Sequence, residues 1–292
     1  MVRFVIYKAI LVLLIYIFSS LNTCLAVDEK KIKMFLRDDV YEDYTSFLAG
    51  RDPLEITSFS GHKIRRDVVD MIIAQQALKL GGFHKPFKYK VGKINFRNTK
   101  LLEQGALLLS FDTYWLADAL QLNEKVYISD PVINRGEYLA GVYSNPSNEK
   151  VFSIKSLSDF KGLTSVSTPR WRTDWQTLMD LPLKEVFQEH EWLGQTRMVN
   201  LKWADFMLMP FMPARDNIYK LESIELKAVP DIAIMLDDSR HFVISKKHPD
   251  GFLAYQAMQI GLDKLRVKGL IMQAYREAGF IPKKGSVKIL NQ

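Results

Sequence analysis

Short apolar segments of strand character alternate with amphipathic helical segments along most of the 292 residues, which predicts an α/β protein. The alternation halts at the turn-rich stretch Ser144 to Asn148 and then resumes, which predicts two α/β lobes rather than one sheet. A hydrophobic fraction of 48% and a single cysteine, Cys24, mean that the core is held by apolar burial and not by disulfides.

The first residues speak to compartment. Arg3 and Lys8 give a positive start, Ala9 to Phe18 is an unbroken apolar run, and Cys24-Leu25-Ala26 places small residues at the two outer positions. This is the layout of a secretory signal peptide, residues 1–26, cleaved after Ala26. The apolar run is shorter than the roughly 20 residues that span a bilayer. The expectation is export to the periplasm, with no cysteine left in the mature chain. Taking Arg3 and Lys8 from the formal net charge of +7 leaves +5, and the remaining Lys and Arg residues are scattered among acids. Such scatter argues against a nucleic-acid partner.

Residues 27–53 are charged and irregular and give no assignment. Leu54 to Phe59 reads as a strand ended by Ser60-Gly61. Arg66 to Leu80 carries Val68, Val69, Ile72, Ile73, Ala77 and Leu80 at helical spacing, stopped by Gly81-Gly82. Tyr89 to Phe96 alternates as a strand, Lys100 to Gln104 is a helical turn, and Ala106 to Phe111 reads as a strand buried on both faces. Thr113 to Leu120 looks helical; Lys125 to Ser129 and Glu137 to Tyr143 look extended. The order of elements implies a mostly parallel sheet.

In the second series Ser156 to Phe160 is a short helix, Leu163 to Ser167 a strand, and Trp171 to Met179 a helix opened by Thr168-Pro169. Thr196 to Asn200 and Phe206 to Pro210 read as strands, Pro213 to Leu221 as a helix, and Glu225 to Val229 as a strand. His241 to Ser245 is extended, and Gly251 to Val267 and Gly269 to Ala278 are amphipathic helices. The resulting division is lobe 1 from 27–141 and 237–292, and lobe 2 from 142–236.

Several stretches resemble type II periplasmic solute-binding proteins, the class that includes amino-acid receptors of ABC transporters. They are Ile154 to Leu163, Tyr127-Ile128-Ser129-Asp130-Pro131-Val132, Trp203-Ala204-Asp205-Phe206, and Phe242 to Pro249 followed by a long helix. The resemblance spans roughly residues 54 to 280, although the glycine usual before the Asp205 motif is missing. It implies a two-lobed fold with two crossing strands, a ligand held between the lobes, a monomer, and an inner-membrane ABC permease or sensor as partner. No cofactor is implied. An interaction or signalling protein that keeps this fold without transport is the alternative, and it predicts a cleft filled by the protein's own side chains.

The family's receptors hold an amino-acid carboxylate with an arginine shortly after the Thr113-like position and the ammonium with an acid after a lobe-2 strand. Trp115 to Leu122 has no arginine, and Leu208-Met209-Pro210-Phe211 has no acid. Ordinary amino acids are therefore not the expected ligand. A small anionic or aromatic molecule suits the remaining candidates better. Thr168-Pro169-Arg170-Trp171-Arg172 opens a helix after a strand, where free N–H groups and arginine forks attract anions. Thr113 and Trp115 follow the apolar strand of lobe 1, Phe59 and Ser60 end the first strand, and Phe211 could stack from lobe 2. Asp205 reads as a structural cap, and Glu137 beside Arg135 as a hinge ion pair. The five histidines have no metal-ligand spacing, and nucleophile-elbow and phosphate-loop motifs are absent, so neither a metal nor catalysis is expected.

Overall fold

The computed structural model describes residues 31–61, 63–92, 97–212, 216–283 and 285–292. The proposed leader, His62 and the starts or ends of two expected elements lie outside them.

The unassigned N-terminal stretch forms strand β1 (Ile32–Arg37) and helix α1 (Asp38–Leu48), and β1 pairs in parallel with β2 (Phe87–Gly92). Helix α2 (Arg66–Leu80) has the bounds the apolar spacing predicts, and buried residues cover nearly its whole circumference. Its C-terminus is a Schellman motif: the Phe83 N–H donates to Leu78 O at 2.8 Å and the Gly82 N–H to Lys79 O at 3.0 Å, with Gly82 at φ +97°. Beneath it lies helix α8 (Gly251–Val267). A Cβ on Gly261 would come 1.8 Å from Ala77 O, and one on Gly81 would come 1.9 Å from Ala257 O, so these helices cross too closely for any side chain there.

Between them in the chain come α3 (Arg97–Gln104), β3 (Tyr114–Trp115), α4 (Leu116–Leu120), β4 (Val126–Ile133), β5 (Leu139–Ser144), α5 (Glu149–Phe152) and β6 (Thr164–Ser167). There follow α6 (Arg172–Asp180), β7 (Glu185–Gln188), α7 (Trp192–Asn200), β8 (Met207–Pro210), β9 (Ile218–Leu221), β10 (Ile224–Ala228), β11 (Ile232–Met235) and β12 (Arg240–Ser245). Helix α9 (Leu270–Glu277) and β13 (Lys288–Ile289) end the chain.

One sheet has the order β3-β12-β4, antiparallel throughout. A larger one runs β13-β11-β5-β10-β9 with β8 also on β5, and every residue of β5 is buried. β6 and β7 pair in parallel, and Ser165 bridges to Phe206 beside β8. Two connections join the sheets, β4 to β5 through residues 134–138 and β11 to β12 through 236–239. The lobes are thus joined by two crossing strands.

Several expectations need correction. The two larger sheets are mainly antiparallel, because strands that cross between lobes return in the opposite sense. Leu54 to Phe59 is a single 3-10 turn followed by irregular chain, since Pro53 favours a tight start and Gln76 takes the Pro53 and Ile56 carbonyls through its Nε2. Leu107 to Phe111 is buried while Ala106 is exposed, and the segment joins the sheet through the Leu109–Ile244 bridge and the Ser245 N–H bond to Leu108 O at 2.8 Å without forming a strand. Thr196 to Asn200 belongs to helix α7, whose buried Gln195, Thr196 and Val199 face one side. Ile218 to Leu221 is a strand paired with β10, not the end of a helix. Thr113 to Leu120 divides into β3 and α4.

Candidate functional site

The junction of the two crossings gathers ionisable and aromatic side chains from both lobes. Arg240 opens β12, facing Trp115 across the β3 pairing, and its guanidinium lies 4.5 Å from the Trp115 ring centre and 5.7 Å from that of Tyr138. Arg240 is buried, donating from Nε to Thr113 Oγ1 at 2.8 Å and from Nη2 to the Thr113 carbonyl. Trp115 and Tyr138 themselves pack at 4.7 Å.

Helix α2 supplies Arg66, Asp67 and Asp70. Asp70 is fully buried and accepts from the Thr113 N–H at 3.2 Å, from the Thr113 hydroxyl at 2.9 Å and from the Tyr275 hydroxyl of α9. Arg66 pairs with Asp67 and stands 3.8 Å from Asp70. Burial raises the Asp70 carboxyl, against the pull of Arg66 and Arg240. Burial opposes Asp67 in the same way, but Arg66 and Arg65 overcome it and hold its carboxyl well below the usual range. Asp112, beside them, is pushed up to about 6 by burial and by Asp67 and Asp70, with Arg66 and Arg240 only partly offsetting this.

Lobe 2 contributes through α6. Asp174 Oδ2 accepts the Trp115 indole N–H at 3.1 Å, and the Thr173 hydroxyl donates to Asp238 Oδ2 at 3.0 Å, an oxygen that also accepts the Ala117 N–H at 3.1 Å. Arg172 Nε stands 3.5 Å from Asp118, whose carboxyl burial raises to about 6 despite Arg172 and with the help of Asp174. Side chains of one lobe thus bond directly to the other at the hinge. The acids here, Asp67, Asp70, Asp112, Asp118, Asp174 and Asp238, outnumber Arg66, Arg172 and Arg240.

Among the sequence candidates, Thr113 and Trp115 are inside this cluster and Arg172 is at its edge. Thr168 is buried close by, but its hydroxyl pairs with His190 Nδ1 at 3.0 Å and meets the Arg170 N–H only at 3.4 Å. Arg170 is exposed, and Trp171 packs at 6.0 Å on Trp192 at the opening of α6. Phe59 is buried, with its N–H donating to Glu277 at 2.7 Å, while Ser60 is exposed. Phe211 packs in an apolar cluster with Leu139 and Ala233. Asp205 accepts from the Thr164 N–H at 2.8 Å and its hydroxyl at 3.0 Å, fixing the start of β6. Glu137 accepts from the Asn134 N–H at 2.8 Å, whereas Arg135 pairs with Asp237.

Arg66, Asp70, Asp112, Asp174 and Arg240 were not singled out from the sequence. A signal existed for two of them: Asp70 interrupts an apolar helix and Arg240 leads an apolar strand, positions where a charge is retained only with partners. Arg240 and Asp174 place both charge signs at the junction, outside the two stretches where the family keeps them.

The chain has the two-lobed fold of type II periplasmic binding proteins. Solved structures similar to it include a double mutant of the VFT2 domain of BvgS from Bordetella pertussis, with TM-score 0.55 and 11% identity over 86% of this chain and 94% of that one. Another is the probable amino-acid ABC transporter extracellular-binding protein ytmK from Bacillus subtilis, TM-score 0.52, 14% identical over 86% of this chain and 100% of that one. A mutant of ArgBP from T. maritima gives TM-score 0.51 and 14% identity over 86% and 96% of the two chains. No protein-family model and no curated protein matches the chain. Among the described residues no helix is long and apolar enough to cross a membrane, and no three His, Cys, Asp or Glu side chains are grouped as metal ligands.

Proposed function

We propose that the chain is an exported, periplasmic solute-binding protein that closes around a small ligand and presents the closed form to an ABC permease or a sensor. The observation that carries this is the buried polar junction where Trp115 of one lobe bonds Asp174 of the other and Arg240 lies on a crossing strand. Contacts made between lobes exist only when they approach, so a ligand that adds to them shifts the population toward closure. The proposed moving units are 27–141 with 237–292, and 142–236, with the hinge at the connections 134–138 and 236–239, except that residues 139–141 of β5 and the terminal β13, which pairs with β11, belong to the larger sheet and move with the second unit. Binding, not catalysis, is the reading these groups support, since Asp70, Asp174 and Asp238 are engaged in structural bonds.

The ligand we favour carries an anionic or aromatic group seated at the opening of α6, on Arg170, Trp171 and Arg172, beside Thr168. Phe59, Ser60 and Phe211 have no support from their surroundings as contacts. A second reading comes from the surplus of carboxylates: a ligand bearing a cationic group would pair with Asp112 and Asp118, whose ionised forms are otherwise disfavoured. Thermal-shift measurements of the mature protein against aromatic and aliphatic carboxylates, amines and amino acids test both, because a ligand well above its Kd raises stability by mass action. A shift with carboxylates alone supports the first reading, a shift with amines the second. No shift with any class favours the interaction-protein alternative, for which Trp115, Tyr138 and Arg240 are the cleft filling.

A further inference from the structure

The chain passes between the lobes a third time, near its C-terminus. Helix α9 belongs to lobe 1: it packs on α2 and α8, and its Glu277 accepts the Phe59 N–H at 2.7 Å. Strand β13 belongs to the larger sheet of lobe 2, where Lys288 and Ile289 pair in parallel with Ile232 and Ala233 of β11. The two crossing strands already make the lobes continuous, so this return is an addition to the hinge.

Both ends of the passage are anchored. On lobe 1, the Phe280 and Ile281 N–H groups donate to Tyr275 O at 2.9 and 3.2 Å, and both side chains are buried. On lobe 2, the Lys288 N–H donates to Asp231 O at 2.8 Å and the Leu290 N–H to Ala233 O at 3.0 Å. Asn291 secures the end: its Oδ1 accepts the Met235 N–H at 2.8 Å and its Nδ2 donates to Met235 O at 2.9 Å. Val287 and Ile289 pack against Leu139, Phe211 and Ala233, and Leu290 is buried. Six residues, 282–287, link the anchors and reach about 20 Å fully extended. The Ser286 N–H and hydroxyl both donate to Lys283 O, at 2.9 and 2.8 Å, which shortens the link further.

The anchors fall on the hinge itself. Phe280 meets Tyr138 edge-on at 4.8 Å, and Tyr138, in the connection 134–138, packs on Trp115 at 4.7 Å. Asn291 holds Met235, the last residue of β11 before the connection 236–239. A rotation that parts the lobes therefore pulls the two anchors of the tail against each other.

We propose that β13 and the segment leading to it form a strap that holds the lobes together, and that β13 must leave β11 before the hinge can open fully. The strap is releasable, because an edge strand of two paired residues opens locally at low free energy. Docking of the strap and closure of the lobes are linked, so whatever stabilises one stabilises the other. A ligand gripped between the lobes tightens the strap, and anything that frees the strap weakens the grip. This rests on the hinge reading above and on no particular ligand.

Hydrogen–deuterium exchange of the Trp115 indole N–H, followed by NMR on the full chain, tests this. That N–H is donated from lobe 1 to Asp174 of lobe 2 at 3.1 Å and is freed when the lobes part. Leu290→Asp puts a charge into the buried end of the strap and is expected to speed the exchange by roughly tenfold or more. The amides of β6, paired with β7 inside lobe 2, should keep their rates and control for general loosening. With Cys24→Ser in place, Ala233→Cys and Ile289→Cys, partners in the β11–β13 register, should form a disulfide that slows Trp115 exchange relative to the reduced form. That comparison decides the matter if Leu290→Asp does not fold. Unchanged Trp115 exchange in Leu290→Asp, equal acceleration of the β6 amides, or one rate for the oxidised and reduced forms overturns the strap. An empty ligand screen fails the ligand reading alone.

Discussion

The hinge junction and the opening of helix α6 both carry arginines and aromatic rings, yet they differ in how those groups are held. At the junction, Asp70 is fully buried with three donors aimed at it and Arg240 is clamped between Thr113 and two aromatic rings. At the opening, Arg170 is exposed and Arg172 has only a 3.5 Å ion pair with a half-buried acid. Buried ionic groups are costly to disturb and shape the fold; exposed ones contribute little to stability and remain available to a ligand. Stability should therefore reside at the junction and ligand response at the opening.

The sharpest way to break that contrast is Asp70→Ala. It removes the acceptor of the Thr113 N–H, the Thr113 hydroxyl and the Tyr275 hydroxyl and takes a carboxylate away from Arg66 and Arg240, and is expected to cost about 3–5 kcal/mol of unfolding free energy by denaturant titration. A cost near zero would show the junction to be ordinary solvated surface.

A smaller effect is expected from pH. Asp112 titrates near 6 in the folded protein against an ordinary 3.8, so its ionisation opposes folding. Its stabilising contribution is complete below about pH 4 and is lost as pH rises through 6. Asp67, held low, acts in the opposite sense, and its contribution is lost as pH falls below the ordinary carboxylate range. Asp112→Asn should raise stability at pH 7 by on the order of 2 kcal/mol and flatten the change between pH 4 and 6. Thermal unfolding across that interval reads both, and a variant less stable than wild type at pH 7 would contradict the assignment.

The smallest structural effect belongs to the opening. Arg170→Ala and Arg172→Ala should each change stability by no more than about 0.5 kcal/mol, while removing the thermal shift given by an anionic ligand. An undiminished shift would move the ligand away from α6.

How much of this was legible depends on whether the signal was local. Helices Arg66–Leu80 and Gly251–Val267 match their expected bounds because apolar spacing and flanking glycines are written in consecutive residues. Ile218 to Leu221 was misread as helix because its strand exists through pairing with β10, a partner that local spacing does not show. The junction escaped for a related reason. Asp70, Thr113, Asp174, Arg240 and Tyr275 are far apart in the chain, and no local spacing signals that they meet.

Left to itself, the amino-acid order settled the α/β class and the helices with strong periodicity, since these follow from side-chain character at fixed local intervals. Which charges meet at the hinge, and that Leu253, Ile260 and Val267 of α8 stay exposed, were decided only by the tertiary structure. Both depend on where long-range packing brings distant segments together and which surfaces it leaves without a neighbour.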